Sequence, residues 1–387
     1  MKLCSAEKCN SCMACANACP FGAIATTINK YGANQPEIIS DKCVECGLCQ
    51  KVCVEKHDFE FSYPLKAMAL YVKSDFDRKT CASGGAATAF SRYVISKGGC
   101  VFGATSEGGY PHYIKVDNQN DLELLKGSKY VYCDPLQIYK DVKTELSDDR
   151  LCLFIGTPCN VAGLLSLLNK KYSNLITIDL ICHGTPPFSY LKEHIENHVG
   201  DYSKVANFTF RGKDDFFLTI FDKHGHVIYK QSQYEDEYFM SFMKGFMFRP
   251  VCYECQFAQE KRISDITIGD FWNISNDALN GYNGKISVAL LNSEKGCSFF
   301  NDCKSVFYFE ERSVIEAING NDQLRHPSIY NKERDYFLDY YLKNKSIKKT
   351  FIGMGILNKC RLNKFRRYFL YVPKLLRKFL MNIYNNE

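Results

Sequence analysis

The chain has 387 residues, of which 46% are hydrophobic, 14% aromatic and 24% charged. That balance excludes disorder, collagen-like repeats and low-complexity sequence, and the length allows two or three domains. Net charge is +6 but unevenly spread: residues 341–387 carry +11 and the remainder −5, a mildly acidic body with a basic tail, which argues against a nucleic-acid protein.

The N-terminus enters a cysteine motif with no apolar signal segment before it, and no apolar run reaches the ~18 to 20 residues that cross a bilayer. A cytoplasmic protein is expected. In a compartment that keeps thiols reduced, 20 cysteines speak for metal binding or redox chemistry over disulfides.

The first predicted module is built on cysteines. Cys9, Cys12, Cys15 and Cys19 are spaced C-x2-C-x2-C-x3-C and followed by Pro20; Cys43, Cys46, Cys49 and Cys53 repeat the spacing. Over roughly residues 5–55 the chain resembles the bacterial-type two-cluster ferredoxins, whose run this is. Two intervening residues let consecutive thiolates wrap one corner of a [4Fe-4S] cube, with small residues such as Ser11, Ala14 and Gly47 admitting backbone N–H groups to the sulfides. The fourth cysteine lies too far round the turn and crosses to the other cube. One cluster is therefore assigned to Cys9, Cys12, Cys15 and Cys53, the other to Cys43, Cys46, Cys49 and Cys19. Val54 stands where the family has proline, which loosens the turn but removes no ligand. Paired zinc sites are the competing reading of C-x2-C. Cys4 lies outside both quartets and reads as an ordinary thiol.

After Tyr63-Pro64 the pattern turns to alternating strands and helices. Strands are expected at Ala67–Val72, Cys100–Thr105 and Ile114–Val116, with a helix over Gly84–Ser96 that opens on glycines and an amphipathic helix over Leu136–Leu146. Leu151–Ile155 and Ile176–Ile181 are apolar runs that read as buried strands of an α/β sheet. The first ends in Gly156-Thr157-Pro158-Cys159 and leads to a helix over Val161–Leu168; the second ends in Cys182-His183-Gly184. Val205–Phe210, Phe217–Phe221 and Val227–Tyr229 suggest a meander, and Ile266–Ile268 and Ile286–Leu291 return as apolar strands. Open α/β sheets hold ligands beyond the carboxyl ends of their strands, and both cysteine loops are expected there.

In this order stand Ser83-Gly84-Gly85-Ala86-Ala87-Thr88, Gly127-Ser128-Lys129-Tyr130, Gly156-Thr157-Pro158-Cys159, Cys182-His183-Gly184, and Cys252 to Cys255 followed by Ser264-Asp265-Ile266 and Gly269-Asp270-Phe271-Trp272. Over about residues 65–275 this ordered set resembles the coenzyme F420 hydrogenase/dehydrogenase beta-subunit family, which includes the chlorophyll-cycle hydroxymethyl reductases. The resemblance implies a flavin, usually FAD, beside iron–sulfur clusters, and does not fix the substrate or require F420. The expected architecture is an α+β ferredoxin domain over residues 1–60, an α/β flavin-binding domain with a mixed sheet over 61–340, and a basic amphipathic tail over 341–387.

Chemistry points the same way. Cubanes pass single electrons while most organic substrates exchange two, so a converter is needed, and a flavin is the usual one. Ser83, Gly84, Gly85 and Thr88 at a helix start offer backbone N–H groups and a positive dipole end for a pyrophosphate or ring edge, or form a turn that only caps the helix. Lys129 is assigned to the same cofactor, to neutralise charge near the reduced flavin, or holds an acidic substrate, against a plain solvated lysine. His183 is a proton donor to the substrate, against a capping histidine. Cys159, Cys182, Cys252 and Cys255 are assigned to a third [4Fe-4S] cluster, with structural zinc as the rival. Cys100, Cys152, Cys297, Cys303 and Cys360 read as small buried side chains, and Cys81 receives no role.

In the tail, Lys374, Arg377 and Lys378 alternate with Leu375, Leu376, Phe379, Leu380 and Ile383, an apolar stripe with cations opposite that suits an anionic membrane surface, or docking on the body or a partner. The function expected is an iron–sulfur flavoprotein oxidoreductase acting on a small-molecule redox substrate, fed by an electron-donor protein. The alternatives are a non-catalytic electron-transfer subunit of a larger complex and a flavin-free binding protein.

Overall fold

The computed structural model describes residues 3–212 and 216–370. The strands in chain order are β1 (Ile24–Ile28), β2 (Asn34–Ile38), β3 (Lys66–Val72), β4 (Cys100–Thr105), β5 (His112–Val116), β6 (Cys152–Gly156), β7 (Leu175–Leu180), β8 (Asn207–Thr209), β9 (Phe217–Phe221), β10 (Val227–Ser232), β11 (Ile266–Asp270), β12 (Ser287–Leu291) and β13 (Phe307–Arg312). β1 and β2 form the hairpin of the cysteine module. The body is an eight-stranded mixed sheet of order β13-β3-β12-β11-β7-β6-β4-β5. β4, β6, β7 and β11 run parallel at its centre, and the flanking pairs are antiparallel.

The central strands are apolar runs because helices cover both faces. One face buries Phe90, Val94, Phe299 and Phe300 from helices Ala86–Ser96 and Glu294–Cys303 against Leu70, Ile178 and Ala289. The other packs helices Ile138–Ser147 and Pro158–Leu168 against Phe102, Cys152 and Phe154. Two buried carboxylates in and beside the sheet are partnered: Asp179 of β7 meets the Arg262 guanidinium at 3.0 Å, and Asp265 accepts from the Thr177 backbone N–H at 2.9 Å.

The expected strands are all present, and the meander forms as the three-stranded sheet β10-β9-β8. The helix expected from Leu136 begins at Ile138, and two further helix starts differ. The first begins at Ala86 with Gly85 as its left-handed cap, because Gly84 still lies alongside β3, its carbonyl accepting from the Val72 N–H at 2.7 Å. The second begins at Pro158, whose ring suits the first helical position, and so takes Cys159 into the first turn instead of leaving it on a loop.

The boundary drawn at residue 341 falls inside helix Glu333–Asn344. Tyr341, Ile347, Phe351, Ile356 and Cys360 are buried with Tyr190, Ile195, Phe239 and Phe337 in the core beneath β8–β10. The lysines that make this stretch basic sit between these apolar positions, so its first half is a helical cap of the body. The stripe at 374–383 lies outside the described residues. No helix among the described residues is long and apolar enough to cross a membrane.

Candidate functional site

The cysteine module carries left-handed backbone at Ser11, Met13, Glu45 and Gly47, the residues between its ligand positions. Such alternation turns backbone N–H groups inward to form an anion-binding nest. Ser11 N–H donates to Cys9 Sγ at 3.4 Å and Ala23 N–H to Cys19 Sγ at 3.3 Å. Cys9, Cys12, Cys15 and Cys53 line one cavity; Cys19, Cys43, Cys46 and Cys49 line a second, with Cys49 also bordering the first. These are the crossed sets expected from the spacing, and the thiol donors suit iron–sulfur clusters. Cys4 lies on the wall of the first cavity with its thiol against Cys53, nearer to a ligand set than sequence suggested. Cys46 is exposed, rimmed by exposed Phe21, Val44 and Leu48.

This module is fixed to the body. Val54, in the place of the family's proline, is fully buried against Ala162 and Phe257, so the departure serves packing. Tyr132 donates its hydroxyl to the Ser11 carbonyl at 2.8 Å, Asn17 donates to the Leu136 carbonyl at 2.8 Å, and the Arg249 guanidinium donates to the Asn10 carbonyl. Cys12 packs with Cys159 around that same Val54 cluster, and a Cβ on Gly163 would lie 3.2 Å from the Cys12 Cβ.

Cys159, Cys182, Cys252 and Cys255 converge on a third cavity, together with Asn10 and Arg249. β6 and β7 are parallel neighbours, so the residues that follow them bring Cys159 and Cys182 together. The short turn Pro250–Glu254 presents the other pair. Gly184, at φ +124°, sits where a Cβ would strike the Phe248 ring at 2.7 Å and approach the Cys252 Cβ at 3.2 Å, so glycine is needed for the two cysteine turns to meet. Burial and the neighbouring thiols push Cys182 far above the ordinary thiol range, and burial with Cys252 and Cys159 pushes Cys255 up to about 12. Four thiols gathered in one cavity, two of them pushed up by burial and their neighbours, fit a metal or cluster that neutralises them.

Against that cavity lies a far larger cleft, about 330 Å³, floored by the carboxyl ends of β4, β6, β7 and β11 through Ala104, Gly156, Leu180 and Asp270. Thr157, Cys182, Gly184, Thr185 and Arg249 border both. Ser83, Gly85 and Thr88 of the expected site line the cleft at the N-terminus of helix Ala86–Ser96, with Thr88 Oγ1 3.2 Å from Cys81 Sγ. Gly84 does not line it. Its missing side chain is needed against β3 and β12, where a Cβ would lie 2.5 Å from the Leu70 carbonyl and 2.7 Å from the Ser287 nitrogen.

Lys129 reaches into the cleft and donates to the carbonyls of Leu125 and Lys126 at 3.1 and 2.8 Å; burial pulls its pKa down to about 8. His183 stands on the cleft wall, where burial lowers its imidazole below the usual value and Asp270 opposes that shift. Sequence reasoning gave no role to Arg211, paired with Asp270, nor to Tyr132, Cys133 and Arg249 on the same wall. Arg249-Pro250 immediately before the Cys252 pair was the available signal. Lys129 and Arg249 face the cleft with no carboxylate bound to them among the described residues, while Lys126 is held by Asp77 and Glu123 and Arg211 by Asp270, so the cleft suits an anionic ligand.

Elsewhere, His194, His198 and Glu237 bring donor atoms within 4.8 Å of one another, but each imidazole is already engaged, His194 with Asp236 at 2.8 Å and His198 with Glu237 at 3.1 Å.

Residues 149–317 match the family described as the C terminus of the coenzyme F420 hydrogenase/dehydrogenase beta subunit, and residues 8–56 match the 4Fe-4S dicluster domain. A ferredoxin-like protein of Sinorhizobium fredii (strain NBRC 101917 / NGR234) is 46% identical over 37 residues, 10% of this chain and 36% of that relative, so the chain spans about a third of its length. A chain of the F420-reducing [NiFe] hydrogenase complex from Methanosarcina barkeri is similar over 75% of this chain and 90% of its own, at 15% identity and a TM-score of 0.46. The chain thus carries a 4Fe-4S dicluster domain, with thiolate sets of ferredoxin spacing, ahead of a domain that matches the C terminus of the coenzyme F420 hydrogenase/dehydrogenase beta subunit.

Proposed function

We propose that the chain is an iron–sulfur flavoprotein oxidoreductase with a third [4Fe-4S] cluster between its ferredoxin module and its flavin. The observation that carries the reading is continuity: the exposed Cys46 set, the Cys9 set, the Cys159 set and the cleft each border the next, through Cys49, Asn10 and the shared wall of Cys182 and Arg249. Ser83, Gly85, Thr88 and Lys129 would hold the flavin, the helix N-terminus and the lysine taking its anionic groups. A bound flavin supplies exchange between one-electron and two-electron chemistry.

The chain's own groups do the rest. The carbonyls of Leu125 and Lys126 aim the Lys129 ammonium, and Asp270 holds Arg211 on the cleft wall. His183, neutral at pH 7 with its lowered pKa, accepts a proton from a bound small molecule or relays one to it. The apolar rim at Cys46 suits a small electron-donor protein.

The test is turnover by anaerobically purified protein with a chemical reductant. Saturable reduction of a soluble two-electron acceptor, lost in Lys129→Gln, supports an enzyme. Cluster reduction without any turnover supports the second reading, a relay subunit, which the family's description as a beta subunit favours.

A further inference from the structure

Arg249 is buried, 4% exposed, in the seam between the cysteine module and the body. Its guanidinium donates to the Asn10 carbonyl and lies over the Tyr132 ring at 5.1 Å, but its Nε has no partner. No carboxylate pairs with it among the described residues. Compare the other buried arginines of the sheet region: Arg262 is held by Asp179 and Arg211 by Asp270. A buried cation without an anion is costly, and such groups persist where a counter-charge is supplied.

What faces Arg249 is sulfur. Cys252 is three residues on and its N–H donates to the Arg249 carbonyl at 2.9 Å. Arg249 shares a cavity wall with Cys159, Cys182 and Cys255, and its bond to Asn10 fixes it on the loop between Cys9 and Cys12. Burial acts against the charged guanidinium, while the charges of Cys252, Cys159 and Cys9 favour it.

We infer that Arg249 is the counter-cation shared by the cluster of Cys9, Cys12, Cys15 and Cys53 and the cluster of Cys159, Cys182, Cys252 and Cys255, and that it sets the potential at which both accept an electron. The inference rests on the third cluster proposed above. A thiolate-bound cubane is an anion and gains one further negative charge on reduction, so a fixed cation stabilises the reduced form more than the oxidised one and raises the potential. The step is a single electron leaving one cluster and arriving at the other; Arg249 takes up neither electron nor proton. It is a positioning residue. Asn10, to which Arg249 is bonded, lines the cavity of the Cys9 set and not that of the Cys19, Cys43, Cys46 and Cys49 set, which therefore stays unshifted; this favours inward flow from the exposed rim.

The experiment is an EPR-monitored redox titration of the full-length, anaerobically purified chain, with iron and flavin counted, in wild type, Arg249→Gln and Arg249→Lys. The expected result is a reduction equilibrium at least about tenfold less favourable in Arg249→Gln, a fall of about 59 mV or more for one electron, in two clusters only. Arg249→Lys recovers most of the shift. Unmoved potentials in Arg249→Gln at full iron content overturn the inference, as does an equal shift in Arg249→Lys, because then packing and not charge is the cause. Flavin loss without any shift also overturns it, and assigns Arg249 to the cleft ligand. If Arg249→Gln loses iron, Arg249→Lys decides: wild-type potentials support the inference, and shifted ones at full iron overturn it. A wild-type iron content that leaves no third cluster is a separate failure, of the reading beneath.

Discussion

Lys129 ties the cleft to a measurable pH dependence. Burial takes its pKa from 10.5 to about 8, with the Cys133 thiol opposing the shift. At ~1.36 kcal/mol per unit the empty cleft disfavours the charge by roughly 3 kcal/mol, an upper bound because the side chain still opens on solvent. An anion bound at the ammonium offsets that penalty, and it needs the protonated form. The fraction protonated falls from about nine-tenths at pH 7 to about one-tenth at pH 9, so affinity for the anion drops about tenfold between pH 7 and 9, most of it above pH 8. In the ligand-free chain the sign is opposite. The folded pKa lies below the unfolded one, so between about pH 8 and 10.5 the unfolded chain holds the extra proton and stability rises with pH. The assay is FAD affinity by fluorescence quenching on flavin-stripped protein from pH 6.5 to 9.5. Lys129→Gln should bind more weakly at pH 7 and lose the decline, whereas Lys129→Arg should keep its affinity to the top of the range. Parallel profiles in wild type and Lys129→Gln would refute the assignment.

Gly85 has φ +90°, and a Cβ there would lie 2.7 Å from Val72 Cγ1, so Gly85→Val should strip the yellow chromophore while the N-terminal cluster signals persist; full flavin occupancy would remove this turn from the site. Cys53→Ser should damage the cluster of Cys9, Cys12 and Cys15, seen by Mössbauer spectroscopy, and damage confined to the Cys43 set would disprove the crossing. The buried His194–Asp236 pair shapes stability against pH. Burial lowers the His194 pKa but the Asp236 charge more than reverses it, so its contribution is full below pH ~6.5 and is lost as pH rises through the raised value; Asp236, held low despite burial, contributes above pH ~3.8 and is lost as pH falls through its lowered value. Asp236→Ala should cost about 3–5 kcal/mol in denaturant melts near pH 6, and a loss below about 1 kcal/mol would contradict the pairing.

The parts legible in the sequence were those encoded locally. Cysteine spacing is a short-range constraint, and the crossed sets followed from it. β6 and β7 were visible because strands buried on both faces are continuously apolar, and their adjacency brought Cys159 and Cys182 together. The rest depends on long-range packing. Gly84 resembles a phosphate-loop glycine until β12 is placed against it, and Arg249 acquires meaning only when Asn10, some 240 residues earlier, docks on it. The lysine-rich stretch after Tyr341 hid its buried positions, because each short helix there buries only one or two residues per turn.

The most direct test of the central claim is the content of iron, sulfide, zinc and flavin per chain in anaerobically purified protein, compared with Cys255→Ser. An electron path through three thiolate sets into a flavin cleft predicts about twelve iron and twelve sulfide with one flavin, falling to about eight iron in the variant with the ferredoxin signals intact. About eight iron with one zinc in the wild type, and no flavin, would contradict it.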